Sequence, residues 1–129
     1  MNRRAIKPEI IRTLLSRSGN ECAFPGCHHP LFNDSNLFIA QLCHIEAVSP
    51  GGQRYNKERT TEQNNSYDNL LFLCYRHHKE TDDTTKYTVD YLRGVKEQHE
   101  KKFFERTLTV LPNMVEQVEE EMKNFWNHI

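Results

Sequence analysis

The 129-residue chain lacks several features that would assign it to a familiar class of protein. No apolar run approaches the roughly 20 residues that a membrane-spanning helix needs. Residues 1–17 carry basic side chains but neither the apolar segment nor the cleavage site of a signal peptide. Internal repeats and low-complexity tracts are also absent. These absences predict a cytoplasmic protein without membrane contact, where a reducing environment keeps cysteines free or bound to metal.

Apolar side chains are scarce as well. Hydrophobic residues make up 36% of the sequence, whereas roughly 45–50% is typical of globular domains on a slightly different residue set. A core of this size often needs additional stabilisation, for which a bound metal is a common solution. The length allows one domain with some appended structure.

The net charge of −1 gives little support for nucleic-acid binding, but the charges are unevenly distributed. The first 17 residues contain one acidic side chain, Glu9, against five basic ones, which are Arg3, Arg4, Lys7, Arg12 and Arg17. Residues 113–129 are acidic, with Glu116, Glu119, Glu120 and Glu121 against Lys123. This asymmetry could separate a nucleic-acid face from a partner-binding face, or both ends could be ordinary solvated surfaces.

Hydrophobic spacing and turn residues predict an α+β protein. The expected elements are a helix over 5–17, strands over 37–44 and 69–73, and helices over 74–82, 88–107 and 112–129, with a long polar loop over 49–68. The last helix carries a heptad-like stripe of Val115, Val118, Met122, Phe125 and Ile129, with Trp126 beside it. This stripe could pack on the domain or bind a partner chain, and the shortage of apolar surface favours packing.

Four residues have the spacing of a structural zinc site. Cys22 and Cys27 form one close pair, and Cys74 and His77 form the other. Zinc prefers four nitrogen or sulfur ligands that two short loops bring together. His28 and His29 could compete for the fourth position, but Cys74-x2-His77 places both of its ligands at the start of one helix. The alternative is that these are unliganded thiols and surface histidines.

Other polar residues exceed what a zinc module needs. His44 ends the first predicted strand and could act as a general base. Asn69 begins the second strand, where its amide could bond to backbone across the hairpin and hold His44 in place. His78 and Asp82 have the i, i+4 spacing of one helical face and could hold a divalent cation. Each residue alone has an ordinary structural explanation, but their order and spacing together favour phosphodiester hydrolysis.

Residues 22–82 resemble the HNH endonucleases, whose ββα-metal fold is often stabilised by a zinc knuckle. The first His of the family pattern matches His44 in Cys43-His44-Ile45, and the Asn matches Asn69. The final His matches His78 in Cys74-Tyr75-Arg76-His77-His78. The resemblance implies that His44 is the general base, Asn69 orients the hairpin and His78 binds the catalytic metal. It also implies that Cys22, Cys27, Cys74 and His77 bind structural zinc. The Pro50-Gly51-Gly52-x-Arg54-Tyr55 loop resembles a subset found in prokaryotic mobile-element and antiviral defence nucleases.

One position departs from this pattern. Many family members have a metal-binding Asp directly before the first His, and this chain has Cys43. A thiolate is a poor ligand for Mg²⁺. Either Asp82 replaces the missing carboxylate or the site is degenerate, and the helical spacing of His78 and Asp82 favours replacement. Cys43 could instead favour a softer ion such as Mn²⁺, Ni²⁺ or Zn²⁺.

Three functional hypotheses follow. The main one is a metal-dependent HNH endonuclease acting on DNA, with Mg²⁺, Mn²⁺ or Ni²⁺ as catalytic ion and phosphate contacts from Arg54, Lys57 and Arg59. The alternative is a non-catalytic zinc module that binds nucleic acid or protein through a degenerate site. A third makes the chain the nuclease subunit of a defence complex, docked through its last helix to an ATPase or sensor subunit. The expected organisation is a basic helix over 1–20, an HNH core with a zinc knuckle over 21–86, and a helical extension over 87–129.

Overall fold

The structure is a computed structural model that describes residues 6–104 and 109–127, the side chains of residues 125–127 excepted. Helix α1 spans Pro8–Ser16 and buries Ile11, Leu14 and Leu15. Proline suits the first turn because its missing N–H would have no helical partner there. The predicted helix is therefore present from Pro8 onward, while Ala5 and the basic Arg3 and Arg4 lie outside the described residues.

A turn in left-handed backbone ends α1. Gly19 has φ +63° and Asn20 has φ +57°. A Cβ atom at Gly19 would meet the ring of Phe103 at 2.5 Å. Both the backbone angle and the space at this position therefore require glycine.

Two short strands form the sheet of the described chain. Strand β1 spans Gln41–His44 and pairs antiparallel with β2, Leu70–Leu73, so that His44 lies opposite Leu70. The prediction of a strand over 37–44 is wrong for its first four residues. There, Phe38 forms only an isolated bridge with Phe32, because the side chain of Asn33 accepts from the N–H of Leu37 and bends the chain.

The connection between the strands contains a helix that the sequence analysis assigned to a loop. Helix α2 spans Thr61–Asn64. Its cap is reciprocal: the N–H of Gln63 donates to the Thr60 hydroxyl at 3.1 Å, and the N–H of Thr60 donates to Gln63 Oε1 at 2.8 Å. A Thr-x-x-Gln pattern is the signature of such a capping box and was the available signal. A 3₁₀ turn over Tyr67–Asn69 follows, so Asn69 precedes β2 and is not part of it.

Helix α3 spans Tyr75–Glu80, two residues short of the predicted end. The hydroxyl of Thr81 donates to the carbonyl of His78 at 3.0 Å, and the N–H of Asp82 donates to Lys79 at 3.2 Å. These bonds close the helix, so Asp82 lies in the turn that follows it. The strict i, i+4 helical relation predicted for His78 and Asp82 is therefore wrong.

Two longer helices follow. Helix α4 spans Val89–Lys102 and begins at Thr88, whose hydroxyl accepts from the N–H of Tyr91. It ends earlier than the predicted limit of 107, and residues 105–108 lie outside the description. Helix α5 spans Pro112–Asn127. Its side chains Val115, Val118 and Met122 are buried, which confirms that this part of the stripe packs on the domain. Phe125, Trp126 and Ile129 lie outside the described side chains.

The hairpin of β1 and β2 separates two apolar clusters. The first packs α1 and α5 against one face of the sheet, with Leu42, Leu70 and Phe72 as the contributions of the strands. The second packs α4 and the cysteine-rich segment, residues 21–30, against the other face. Its members include Cys43, Ile45, Leu71, Leu73, Tyr87, Leu92 and Val95. In residues 6–104 and 109–127 the protein is thus a small α+β fold with five α-helices and a two-stranded sheet. No helix within these ranges has the length and apolar character to cross a membrane.

Candidate metal centre and active site

The four predicted zinc ligands meet beside the hairpin. The ligand atoms of Cys22, Cys27, Cys74 and His77 all lie within 4.8 Å of one another. His77 Nδ1 lies 3.3 Å from Cys74 Sγ and 3.7 Å from Cys22 Sγ. A tetrahedral ion with metal–sulfur and metal–nitrogen bonds of about 2.3 and 2.1 Å would separate such atoms by about 3.6 Å. The cluster can therefore hold a metal ion, and its three sulfurs and one nitrogen suit structural zinc.

Local backbone bonds shape the first half of this cluster. The N–H of Cys22 donates to His29, and the N–H of Ala23 donates to Phe72, which fixes the segment to β2. Gly26, at φ +77°, allows the tight turn before Cys27. This turn brings the thiol of Cys27 within 4.8 Å of that of Cys22.

The alternative ligands point elsewhere. His28 Nδ1 lies 3.2 Å from Glu21 Oε2, and 71% of its side chain is exposed. His29 Nδ1 donates to the carbonyl of Pro30 at 2.9 Å. Neither residue belongs to the cluster. The fourth possible ligand is therefore His77.

The surroundings of the cluster are apolar. The ring of Phe24 stacks on that of His77, with centroids 4.0 Å apart and an angle of 4° between the planes. Burial raises the pKa of the Cys22 thiol to about 12, and burial lowers the pKa of His77. No disulfide links the four cysteines. Buried free thiols grouped with an imidazole are the donor set expected for a thiolate-binding metal.

His44 lies at the end of β1 and is held by a residue that the sequence analysis did not single out. Its Nε2 atom lies 2.7 Å from Asn65 Oδ1. Since that oxygen only accepts, Nε2 donates, and Nδ1 is then the basic nitrogen of the ring. Burial lowers the pKa of His44, and the bond to Asn65 opposes this shift. In the sequence, Asn65 belongs to the stretch predicted as a long polar loop over 49–68.

The side chain of Asn69, which directly precedes β2, bonds to the backbone that follows β1. Its Oδ1 accepts from the N–H of Glu46, and its Nδ2 donates to the carbonyls of Glu46 and Asn64, all at 2.8–2.9 Å. The Asn69 side chain has no exposed surface. It therefore fixes the backbone two residues after His44, in the manner that the sequence suggested, while its part in any reaction stays a prediction.

We expect Asn69→Ala to lower the free energy of unfolding by about 3 kcal/mol, since it leaves buried backbone groups unsatisfied at about 1–3 kcal/mol each. Denaturant titration measures this change. Asn33→Ala is a matched control, because Asn33 also accepts from two backbone N–H groups but in an exposed turn. Equal losses in the two variants would contradict the role assigned to Asn69.

His78 faces a cavity of about 810 Å³, away from the zinc cluster that His77 joins. Cys43, His44 and Asp82 also line this cavity. Cys43 Sγ lies 3.0 Å from His78 Nδ1. Burial lowers the pKa of His78 and raises that of the Cys43 thiol. The structure thus brings His44, His78 and Asp82 to one cavity together with Cys43.

The three basic residues proposed for phosphate contacts have different surroundings. Arg54 donates to the carbonyls of Ile45, Thr81 and Tyr87 at 2.6–3.2 Å. Arg59 pairs with Glu46 at 3.2 Å. Lys57, by contrast, is exposed. Arg54 and Arg59 therefore hold the long connection in place, a use that their sequence context did not reveal.

Glu46 is a further residue that the sequence analysis did not consider. Its side chain is 8% exposed, and its Oε2 atom lies 2.7 Å from an Arg93 nitrogen as well as near Arg59. This arrangement links the end of β1 to α4 and to the connection that precedes α2. It supports the backbone on which His44 lies.

The chain matches no protein-family model and no curated protein. Its function must therefore be inferred from the geometry of the cavity and the adjacent metal cluster.

Proposed function

We propose that the protein is a metal-dependent endonuclease of the HNH type that hydrolyses DNA phosphodiester bonds. One observation carries the proposal: His44, His78 and Asp82 line one cavity, at the point where a two-stranded hairpin meets a short helix. Beside it lies a cluster suited to zinc. A module that only binds zinc has no need of a partly buried histidine, a cavity and a second pair of possible metal ligands.

His44 is the proposed general base. With Nε2 directed to Asn65, Nδ1 would accept a proton from water while the water oxygen attacks phosphorus. The bond from phosphorus to the 3′ oxygen breaks, which leaves a 5′-phosphate and a 3′-hydroxyl. Asn69 would act as a positioning residue, because it fixes the backbone next to His44 and touches no reacting atom.

His78 and Asp82 are the proposed ligands of the catalytic cation. Nitrogen and carboxylate donors at the wall of an open cavity suit a divalent ion with positions left for phosphate and water. Such an ion, when bound, supplies positive charge that stabilises the departing 3′ oxygen. Mg²⁺, Mn²⁺ and Ni²⁺ are the ions to compare.

DNA would approach the cavity past exposed basic side chains, of which Lys79 lines the cavity itself. Of Arg54, Lys57 and Arg59, only Lys57 remains a strong candidate for a phosphate contact, since Arg54 and Arg59 are engaged within the chain. Arg76 and Lys79 on α3 are also exposed, and Lys79 lines the cavity. Such contacts carry affinity and little sequence information.

Plasmid cleavage by the purified, zinc-loaded protein tests the proposal. We expect nicking or linearisation with at least one of Mg²⁺, Mn²⁺ and Ni²⁺, and none with EDTA. Supercoiled plasmid that stays intact with every ion, in the presence of folded protein, would argue against the proposal. RNA of the same sequence distinguishes DNA from RNA as substrate.

A non-catalytic zinc module is the second candidate, and one observation favours it. The position before His44 holds Cys43 in place of a carboxylate, and Asp82 lies beyond the end of α3. Such a module would bind DNA or protein equally well with alanine at His44 or His78, and it would lose its fold on substitution of Cys22 or Cys74.

We also propose that a protein partner, such as an ATPase or sensor subunit of an antiviral defence complex, docks on α5. Because Val115, Val118 and Met122 are buried in the first cluster, the surface left for docking is acidic. Glu116 and Glu120 are exposed there. Unchanged co-purification of every partner by a Glu116→Lys, Glu120→Lys variant would contradict this proposal.

A further inference from the structure

We infer that the cavity receives one unpaired nucleotide of a DNA strand and that Tyr75 holds its base by stacking. The protein would then select single-stranded or locally opened DNA over intact duplex. The inference rests on the proposed function, because it places the nucleotide whose phosphate the nuclease would attack. Binding of DNA, rather than its cleavage, is the property that it changes.

Tyr75 is an exposed aromatic residue in the wall of the cavity. It is 53% exposed, although it lines the cavity. A tyrosine that only completes an apolar core buries its ring, as Tyr87 does at 2% exposure. The ring of Tyr75 is therefore accessible to a ligand that enters the cavity. Flat aromatic groups stack on such a ring, and every nucleic-acid base presents one.

Tyr75 lies about one helical turn before His78, the proposed ligand of the catalytic cation. Tyr75, His78 and Lys79 have the i, i+3 and i+4 spacing of one helical face, and all three line the cavity. One turn of an α-helix advances by about 5.4 Å, which is comparable with the separation of phosphate and base within one nucleotide. A nucleotide whose phosphate lies near His78 and Lys79 can therefore place its base on the ring of Tyr75.

The size and lining of the cavity suit a whole nucleotide. Its volume of about 810 Å³ lies within the roughly 300–1,000 Å³ of small-molecule sites. Ala47, Val48 and Pro50 of the long connection contribute apolar surface to its wall, and His44 and Lys79 contribute polar groups. Apolar surface suits a base, and the polar groups suit a phosphate. A phosphate group alone would need neither this volume nor the apolar wall.

Exposed positive charge lies next to the ring of Tyr75 in the sequence of α3. Arg76 and Lys79 are both exposed. Cationic side chains beside an aromatic platform are typical of proteins that bind single-stranded nucleic acid. In an intact duplex each base is paired and stacked, so it must be extruded before an aromatic side chain can stack on it. The free-energy cost of extrusion disfavours the duplex, and a strand that is already unpaired does not incur it.

Fluorescence anisotropy with a labelled oligonucleotide tests the inference, without added divalent ions so that no strand is cut. We expect the zinc-loaded wild type to bind the single strand more tightly than the duplex of the same sequence. Tyr75→Ala should weaken single-strand binding by about 5–150-fold, the effect of losing one stacked base, and leave duplex binding nearly unchanged. Tyr75→Phe retains the ring and should bind like the wild type.

Tyr91→Ala is the matched control. Tyr91 is also an exposed tyrosine, at 42%, but its ring packs edge-on against Tyr87 and it is not among the residues that line the cavity. This variant should bind both forms of DNA as the wild type does. Zinc content and the thermal transition show whether each variant is folded.

Unchanged single-strand binding by folded Tyr75→Ala would overturn the inference, as would equal losses on single strand and duplex or a wild type without preference for the single strand. A loss in Tyr75→Phe as large as that in Tyr75→Ala would assign the contact to the hydroxyl and reject stacking. Ring-dependent binding without cleavage by any ion would uphold the nucleotide site and reject the nuclease. Plasmid cleavage at equal rates by wild type and Tyr75→Ala, with no single-strand preference, would do the reverse.

Discussion

Removal of the zinc ion is expected to abolish cooperative folding. The cluster of Cys22, Cys27, Cys74 and His77 joins the cysteine-rich segment to the end of β2 and the start of α3. Structural zinc binds with an apparent free energy of about 10–16 kcal/mol at neutral pH, and a domain of this kind is stable by about 5–15 kcal/mol in total. The range for zinc binding covers the upper half of the range for total stability and extends above it, so we expect the folded state not to survive without the metal.

Cys74→Ser makes this prediction testable by mutation. We expect a purified variant with less than one tightly held zinc per chain and no sigmoidal thermal transition by circular dichroism. Cys43→Ser is the matched control, because Cys43 is also a buried cysteine but lies outside the cluster. It should retain its tightly held zinc and its transition. His28→Ala should behave in the same way, and an equal loss in all three variants would reject the assigned ligand set.

His44→Ala is expected to reduce DNA cleavage by about 10²–10⁴-fold, the usual contribution of general acid–base catalysis. The reason is geometric: His44 lines the cavity with His78, and its Nε2 is directed to Asn65, so that Nδ1 would be the proton acceptor in the proposed reaction. Initial rates of plasmid nicking under saturating metal measure the effect. His44→Gln retains an amide that can bond to Asn65 but cannot accept a proton at neutral pH, so it should be equally inactive.

Controls separate catalysis from folding in this experiment. Zinc content and the thermal transition of His44→Ala should match those of the wild type, because His44 is not a ligand of the zinc-type cluster. His29→Ala removes a histidine whose Nδ1 bonds only to a neighbouring carbonyl and should cleave at the normal rate. Wild-type cleavage by folded His44→Ala would remove His44 from the mechanism.

The metal cluster could be predicted from sequence because its ligands form two pairs, and the members of each pair are close together in the chain. Cys22 and Cys27 share one turn, and Cys74 and His77 share another, so spacing alone identified two halves of a tetrahedral site. The hairpin was also predictable from the apolar residues that precede His44 and follow Asn69. Strand ends were not, since the chain before β1 is bent by the Asn33 side chain and the N–H of Phe38 donates to a distant side chain, Gln117 of α5.

The environment of the proposed active site depends on tertiary structure that spacing does not encode. Asn65 contacts His44 although they are 21 positions apart in the chain, and Cys43 contacts His78 although they are 35 apart. Arg54 looked like a phosphate contact because it is a basic residue in a polar loop. Its left-handed backbone, at φ +58°, and its three internal acceptors become apparent only when the connection is seen folded against the turn after α3.

His77 and His78 are consecutive residues of α3 that face two different sites. A zinc ion at His77 would therefore immobilise the same turn that presents His78, the proposed ligand of the catalytic cation, to the cavity. If both ions bind, thermodynamic linkage follows from this arrangement, because an ion at either site would reduce the conformational entropy that remains to be lost at the other. Each ion should accordingly tighten the binding of its neighbour by the same factor, so that depletion of one metal in the environment would also weaken the retention of the second.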